Sequence, residues 1–492
     1  MKKRNASLGL LLLLAALTVS CGGQTAAETA TEPLRESEPA ETETVTEFYQ
    51  KDNLPELDFG GTEVKLYAWD GAANNEFFAD ADGDIVHDAI FERNKRVEER
   101  MNIKLSHSME MGDNANRAQW VKTLQSSVLA GDGTYDISAG YSMCGASLAN
   151  AGLVQDLAVL PYLDFAAPWW PDSMISESTC GGKLYFASGD ISMDMIDYIY
   201  AVFFNKDILT GYDLPNPYPL VTDGKWTLDA MMEMSRDLYK DLDGDAKKGL
   251  GDQYGYLAYP IYVDVFFFSS GLRTTELGAD GIPALSPMFG SEKTQALLEK
   301  LNGFFKTNDA YLNDTSDIDG TKKIFTEGRA LFFTMELQYA GKNLRDANMQ
   351  YGVLPVPKYD EAQEDYYTVC SFPYTLYGIP IDAKDPEMSA AVMECLASES
   401  YRTVSPALFE TAMKVKYMND PDASEMFDII RSSVVFDFGR IFNDNMSSMT
   451  YSLFRESVTK GDSNWISKYE KNKKSLEKAL TKIIDALTGE NG

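Results

Sequence analysis

Histidine is nearly absent from this 492-residue chain, which holds only His87 and His107. A zinc hydrolase or a Ser-His-Asp enzyme would need one of them with particular partners, and neither an HExxH nor a GxSxG pattern occurs. His87 lies in an amphipathic helical segment and His107 in a strand-like one, so both read as structural or surface residues. Cysteine is scarce as well. Beyond Cys21 there are only Cys144, Cys180, Cys370 and Cys395, far apart and without a CxxC, too few to build a disulfide scaffold of this size. Cys395 occupies an apolar position in a helical stretch and is expected to be buried. Outside the cell a disulfide between two of the others is allowed. Basic residues are in deficit, 44 against 75 acidic ones, for a net charge of −31. Nucleic acid and anionic lipid head groups, which need Lys and Arg, are therefore excluded as docking partners. The apolar run at residues 8–17 is too short to cross a bilayer, which takes about 20 residues.

That run is still informative. Lys2, Lys3 and Arg4 precede it, and Thr18-Val19-Ser20-Cys21-Gly22-Gly23 follows. A basic start, an apolar stretch and small residues mark a secretory signal over residues 1–20. Ending at a cysteine, it resembles a bacterial lipoprotein signal, in which Cys21 becomes the acylated first residue of the mature protein. Residues 21–53 are then a tether. Thr, Glu, Ala and Ser dominate it, so it lacks the apolar surface to offset its ordering entropy and should stay disordered. The implied location is the extracytoplasmic face of the cell membrane, with the bilayer as a partner through Cys21.

About 435 residues remain, too many for one ordinary core, and two lobes are the natural expectation. Val64, Leu66 and Ala68 alternate with Glu63, Lys65 and Tyr67, a strand that ends at Trp69-Asp70-Gly71. A helix over 86–101, a strand from Asn102, a helix over 117–130 and a strand at 134–137 follow. This is the rhythm of a parallel sheet with crossover helices, in which ligands meet the carboxyl ends of strands. Residues 198–205 form a buried strand, Thr227 and Ser291 are placed to cap helices, and Gly328 separates a helix end from a strand. The prolines keep 351–357 extended. From Asp385 the chain is mostly helical, with Pro386 at the first helical position.

Several of these segments together resemble the extracellular solute-binding proteins of ATP-binding-cassette importers, in the group of the maltose- and oligosaccharide-binding proteins. The matching residues are Phe203-Phe204-Asn205-Lys206-Asp207 with Lys225-Trp226-Thr227 after it, Phe325-x-x-Gly328-Arg329-Ala330, and Tyr351-Gly352-Val353-Leu354-Pro355. The run at 357–361 with Gln363 and Tyr366 is similar to long lipoprotein members. The resemblance implies an α/β, two-lobed periplasmic-binding-protein-like fold with three hinge crossings, near 188–192, 351–356 and 397–401. Residues 54–188 plus 353–398 would form the N-terminal lobe and 189–352 plus 399–492 the C-terminal lobe. It implies a lipid-anchored receptor that captures a carbohydrate between its lobes and delivers it to the permease subunits of an importer, as a monomer, without a cofactor or catalytic residue.

Sugars need flat aromatic platforms and planar polar groups. By position, the ligand-binding candidates are Trp69 and Asp70 after the first strand, Tyr141, one of the adjacent pair Trp169 and Trp170 (Trp170 the candidate), Asp190 at the first crossing, Glu336, Gln338 and Tyr339 after a strand, and Phe438 with Arg440. Asp190 is equally suited to capping a hinge. Asp241, Asp243, Asp245 and Asp252 have calcium-loop spacing, although Ala246 stands where the turn wants glycine. The acids at 80–84 read as a turn. A competing reading is a surface glycoside hydrolase with a carboxylate pair. An adhesion protein is disfavoured by the lack of repeats.

Overall fold

The computed structural model describes residues 50–71, 76–315, 317–345, 347–409 and 421–489. The signal segment, Cys21 and most of the tether lie outside the described residues. Just before the expected start of the folded body, Asp52 is tied to it by hydrogen bonds. The Asp52 carboxylate receives both terminal nitrogens of Arg100, at 2.6 and 2.8 Å, and the Ser398 hydroxyl at 2.6 Å. Burial pushes this carboxyl up, but those donors outweigh it and bring it down to about 2.

Sheet one contains β1 (Thr62–Asp70), β2 (Ile103–Met111), β3 (Ile137–Tyr141) and β11 (Thr375–Gly378) in the order β11-β3-β1-β2. β1 is parallel to both β2 and β3, as the strand–helix rhythm requires, and β11 is antiparallel to β3. The helices Ile85–Met101 and Arg117–Ala130 are the crossovers. Asp84, in the segment read as a turn, caps the first by accepting the Val86 and His87 amides. β1 is covered on both faces: Val64, Leu66 and Ala68 are buried on one, and Tyr67 stacks on Trp120 at 4.5 Å on the other.

Sheet two contains β4 (Tyr200–Asn205), β5 (Tyr254–Ala258), β8 (Ala310–Leu312), β9 (Ala330–Glu336) and β10 (Tyr351–Leu354) in the order β10-β4-β9-β5-β8. β4 is antiparallel to β10 and β9, and β5 is parallel to β9 and β8. A small hairpin joins β6 (Thr275–Leu277) to β7 (Pro283–Leu285). Thr227 and Ser291 cap their helices through the Ala230 and Thr294 amides, and Gly328 takes the positive φ, +75°, of the turn before β9. The helix capped by Thr227 stops at Met234, and Asp237, at φ +61°, turns the chain away from it.

Strand membership locates the chain's passages between the sheets. The first lies between Ala187, bridged to Tyr377, and Tyr200. The second lies between Leu354 and Thr375, later than the expected 351–356, because β10 pairs with β4 through Leu354. The helix Pro386–Arg402, capped by Asp385, packs on Ile85–Met101, and so does Val404–Phe409; Pro421–Ser432 packs on β10. The expected crossing at 397–401 therefore falls inside a helix that packs on the sheet-one side, and residues 410–420 lie outside the described residues. No helix among the described residues is long and apolar enough to cross a membrane.

Candidate functional site between the sheets

β1 and β3 end at Asp70 and Tyr141; β5 and β9 end at Ala258 and Glu336, where the antiparallel β4 begins with Tyr200. The second passage threads between these ends and is bonded to both sides. The Tyr200 hydroxyl donates to Ser371 Oγ at 3.0 Å, and the Ser142 hydroxyl donates to the Phe372 carbonyl at 2.6 Å. Around Phe372 a charged and aromatic cluster assembles. Arg440 stacks its guanidinium on the Phe372 ring, 4.1 Å from the centroid, and donates from Nη2 to the Cys370 carbonyl at 3.0 Å. Arg455 stacks on Tyr451 at 4.2 Å, and Tyr451 meets Phe372 with ring centroids 5.5 Å apart. Both arginines face Asp264. Arg455 forms a two-point pair, Nε to Oδ1 at 3.0 Å and Nη2 to Oδ2, while Arg440 Nη1 stands 3.8 Å away.

One feature of this cluster is chemically open. Arg440 Nη1 is buried and has no hydrogen-bond partner, beyond its ion-pair distance to Asp264. A desolvated donor of this kind is costly unless something accepts from it. Arg455 keeps 19 % of its side chain exposed, so the cluster reaches the surface. Beside it Arg117, at the start of the helix Arg117–Ala130, pairs with Asp444. The Tyr141 hydroxyl is pushed up by burial, feeling Arg117, Asp444 and, from the other sheet, Tyr200. Burial also pushes up Glu336, which has Ser371 and Tyr262 as hydrogen-bond neighbours. The set offers ring faces, carboxylates and planar donors, the groups that hydroxyl-rich ligands need.

Of the residues picked from sequence, Tyr141, Glu336 and Arg440 meet in this cluster. Trp69 lies behind Tyr141, edge to face at 5.4 Å, with its indole N–H on Thr375 Oγ1 at 2.9 Å; Asp70 is exposed at the rim. The others lie elsewhere. Trp169 and Trp170 do not alternate: both are 1 % exposed, and both indoles donate to Glu394, at 3.1 and 2.9 Å. The reason is a turn, closed by the Trp170 amide on the Ala167 carbonyl, where an extended chain would have sent the rings apart. Tyr339 packs among Phe203, Phe325 and Phe333, and Phe438 packs on Phe442, both in the core. Gln338 accepts from Lys342 one turn along its own helix. Asp190 takes the Ser405 hydroxyl and faces Arg431, an interior junction.

Asp264, Arg455, Tyr451, Phe372, Arg117 and Asp444 were missed. Tyr451 and Arg455 are spaced i,i+4 on the helix Met449–Thr459, which puts them on one face and was a readable signal. In the acidic loop, Asp241, Asp243 and Asp252 bring carboxylate oxygens within 4.8 Å of one another. Asp245 is not among them; it accepts the Lys247 amide instead. Ala246 adopts φ +58°, the conformation for which glycine was expected. Asp241 and Asp252 already accept backbone amides, and Lys248 turns away to the carbonyls of Phe305, Thr307 and Ala310, between the end of the helix Glu292–Lys306 and the start of β8. His87 pairs with Asp82 at 3.0 Å, and His107 is held down to about 4 by burial and the Arg93 charge. All four cysteines beyond Cys21 are free and buried.

No protein-family model matches the chain, and no curated protein does. Solved structures do. The cyclic α-maltosyl-1,6-maltose binding protein of Arthrobacter globiformis aligns with TM-score 0.58 and 14% identity, over 88% of this chain and 100% of its own. UspC of M. tuberculosis aligns with 0.56 and 16%, over 85% and 100%. A cyclo/maltodextrin-binding protein complexed with maltotetraose aligns with 0.54 and 15%, over 87% and 98%. At these identities the likeness is one of fold. The chain shares the two-sheet α/β fold of these structures, with strands and sheets in the arrangement described above.

Proposed function

We propose that this protein is a solute receptor that holds a carbohydrate, a sugar or oligosaccharide, between its two sheets and presents it to the membrane subunits of an ABC importer, without chemistry of its own. The observation that carries the reading is the Phe372–Arg440–Asp264–Arg455–Tyr451 cluster, lying where the strand ends of a solute-receptor fold converge. Sugar C–H faces pack on the rings, Arg440 Nη1 and Arg455 donate to hydroxyls, and Asp264 accepts from them. Several similar structures are receptors for maltotetraose, cycloalternan or acarbose. In this reading Cys21 carries acyl chains that keep the receptor on the outer face of the membrane.

Calorimetry of the full chain with maltotetraose, cycloalternan and acarbose, followed by a wider saccharide panel, is the test. A micromolar ligand, equivalent to about 8 kcal/mol, recovered intact afterwards is expected. A panel without a single binder removes the carbohydrate reading, and recovery of shortened sugar replaces it with hydrolysis.

A further inference from the structure

Glu76 follows shortly after β1 and is 0 % exposed. Its carboxylate has partners from two distant parts of the chain. Oε1 accepts the Tyr377 hydroxyl of β11 at 2.6 Å, and Oε2 accepts the Ser192 hydroxyl at 3.1 Å and the Asp194 amide at 3.2 Å, both from the first passage. Ser192 extends the network. Its Oγ accepts the Thr375 amide at 3.2 Å, where the second passage enters β11, and Thr375 Oγ1 accepts the Trp69 indole at the end of β1. The Tyr377 hydroxyl also reaches the Ile191 carbonyl at 3.3 Å. Behind Glu76, Arg93 Nη2 donates to its backbone carbonyl at 2.9 Å, and Asn94 Nδ2 donates to that of Phe77 at 2.8 Å. Those two bonds fix the segment to the helix Ile85–Met101. One carboxylate thus joins the ligand-facing end of β1, the sheet-one core and both passages. Each of its bonds is desolvated, so none can open without leaving a buried group unpaired.

We propose that Glu76 is a positioning residue that fixes the chain passages against sheet one, so that contact at the end of β1 is transmitted to the angle between the two halves of the receptor. This rests on the receptor reading above and extends it to how occupancy changes shape. The test reads that angle without ligand. Spin labels at Val159→Cys on the sheet-one side and Leu242→Cys on the sheet-two side use two exposed positions, and the native cysteines beyond Cys21 are buried. In the full chain carrying Cys21→Ser, a single narrow distance is expected. Glu76→Ala should broaden or shift it and speed exchange of the Asp194 amide by about tenfold, with β9 amides unchanged. Glu76→Gln, which keeps an acceptor for Tyr377, should retain most of the narrow distance.

A folded Glu76→Ala protein with an unchanged distance overturns the proposal. Should that variant fail to fold, Tyr377→Phe and Ser192→Ala each delete one partner and must each broaden the distance; no change in both overturns it equally. Maltotetraose is then added to the labelled wild type. Absence of binding counts against the receptor reading, while the ligand-free distances still judge Glu76.

Discussion

Two buried carboxylates, one in each half of the molecule, are held by opposite kinds of donor. Glu394, on the helix Pro386–Arg402, accepts two indole N–H groups and the Asp164 amide, all neutral. Asp264, at the end of sheet two, faces the guanidinium groups of Arg455 and Arg440. Neutral donors do not balance a charge, so burial dominates and pushes the Glu394 carboxyl up to about 7. Glu394 is a packing device that orients two tryptophans. Asp264 is one member of a charged assembly in which each member depends on the others and one N–H, Arg440 Nη1, has no hydrogen-bond acceptor. The contrast separates buried polar groups that complete a core from those available for recognition.

The contrast is broken most directly at Asp264. Asp264→Ala leaves two arginines buried without their counter-ion and should cost about 3–5 kcal/mol in denaturant unfolding, together with saccharide binding. A loss no larger than a surface pair's, about 1 kcal/mol or less, would show that the cluster is not interdependent.

Glu394→Gln is expected to cost less, about 1–2 kcal/mol, for one indole bond left unmade. Its clearer signature is in pH. The folded pKa of about 7 lies above the ordinary 4.5, so between those values the folded protein holds a proton that the unfolded chain has released. Stability contributed by this group is therefore lost as pH rises through that window, and is level above it. Urea midpoints at about pH 5 and about pH 8 should differ less in the variant than in the wild type. An unchanged difference would remove Glu394 from the account.

The smallest effect is expected at Tyr451. Tyr451→Ala takes the ring from beneath Arg455 and should lower stability by about 0.5–1 kcal/mol, with a larger proportional loss of saccharide affinity. Equal losses in both, from melting and calorimetry, would place Tyr451 with the packing residues rather than with the recognition surface.

Much of the fold was legible in sequence because its signals are local. The alternation at 62–70, the caps Thr227 and Ser291, the helix start at Pro386 and the turn glycine Gly328 each depend on neighbours a few residues away. The site was legible only in part. Chain position picked Tyr141, Glu336 and Arg440, which come to the cluster around Phe372, and by the same reasoning Trp170, Tyr339 and Phe438, which are core. Chain position says which strand end a residue follows, but not whether its ring turns inward. The turn at Ala167 that aims both tryptophans at one carboxylate illustrates the missing information.

By itself the sequence determined the order of strands and helices, the parallel arrangement of β1, β2 and β3, the burial of Cys395 and the shortage of histidine that leaves no metal-protease or triad pattern. Periodicity, capping and composition are properties of neighbouring residues, and they survive without a partner from elsewhere in the chain. The tertiary structure decided which polar groups are paired. Arg455 and Asp264 are 191 residues apart, and Glu76 and Tyr377 are 301 apart. Such pairs are selected when packing brings two desolvated groups together, because a buried charge or donor is tolerated only where a complementary group is already in place.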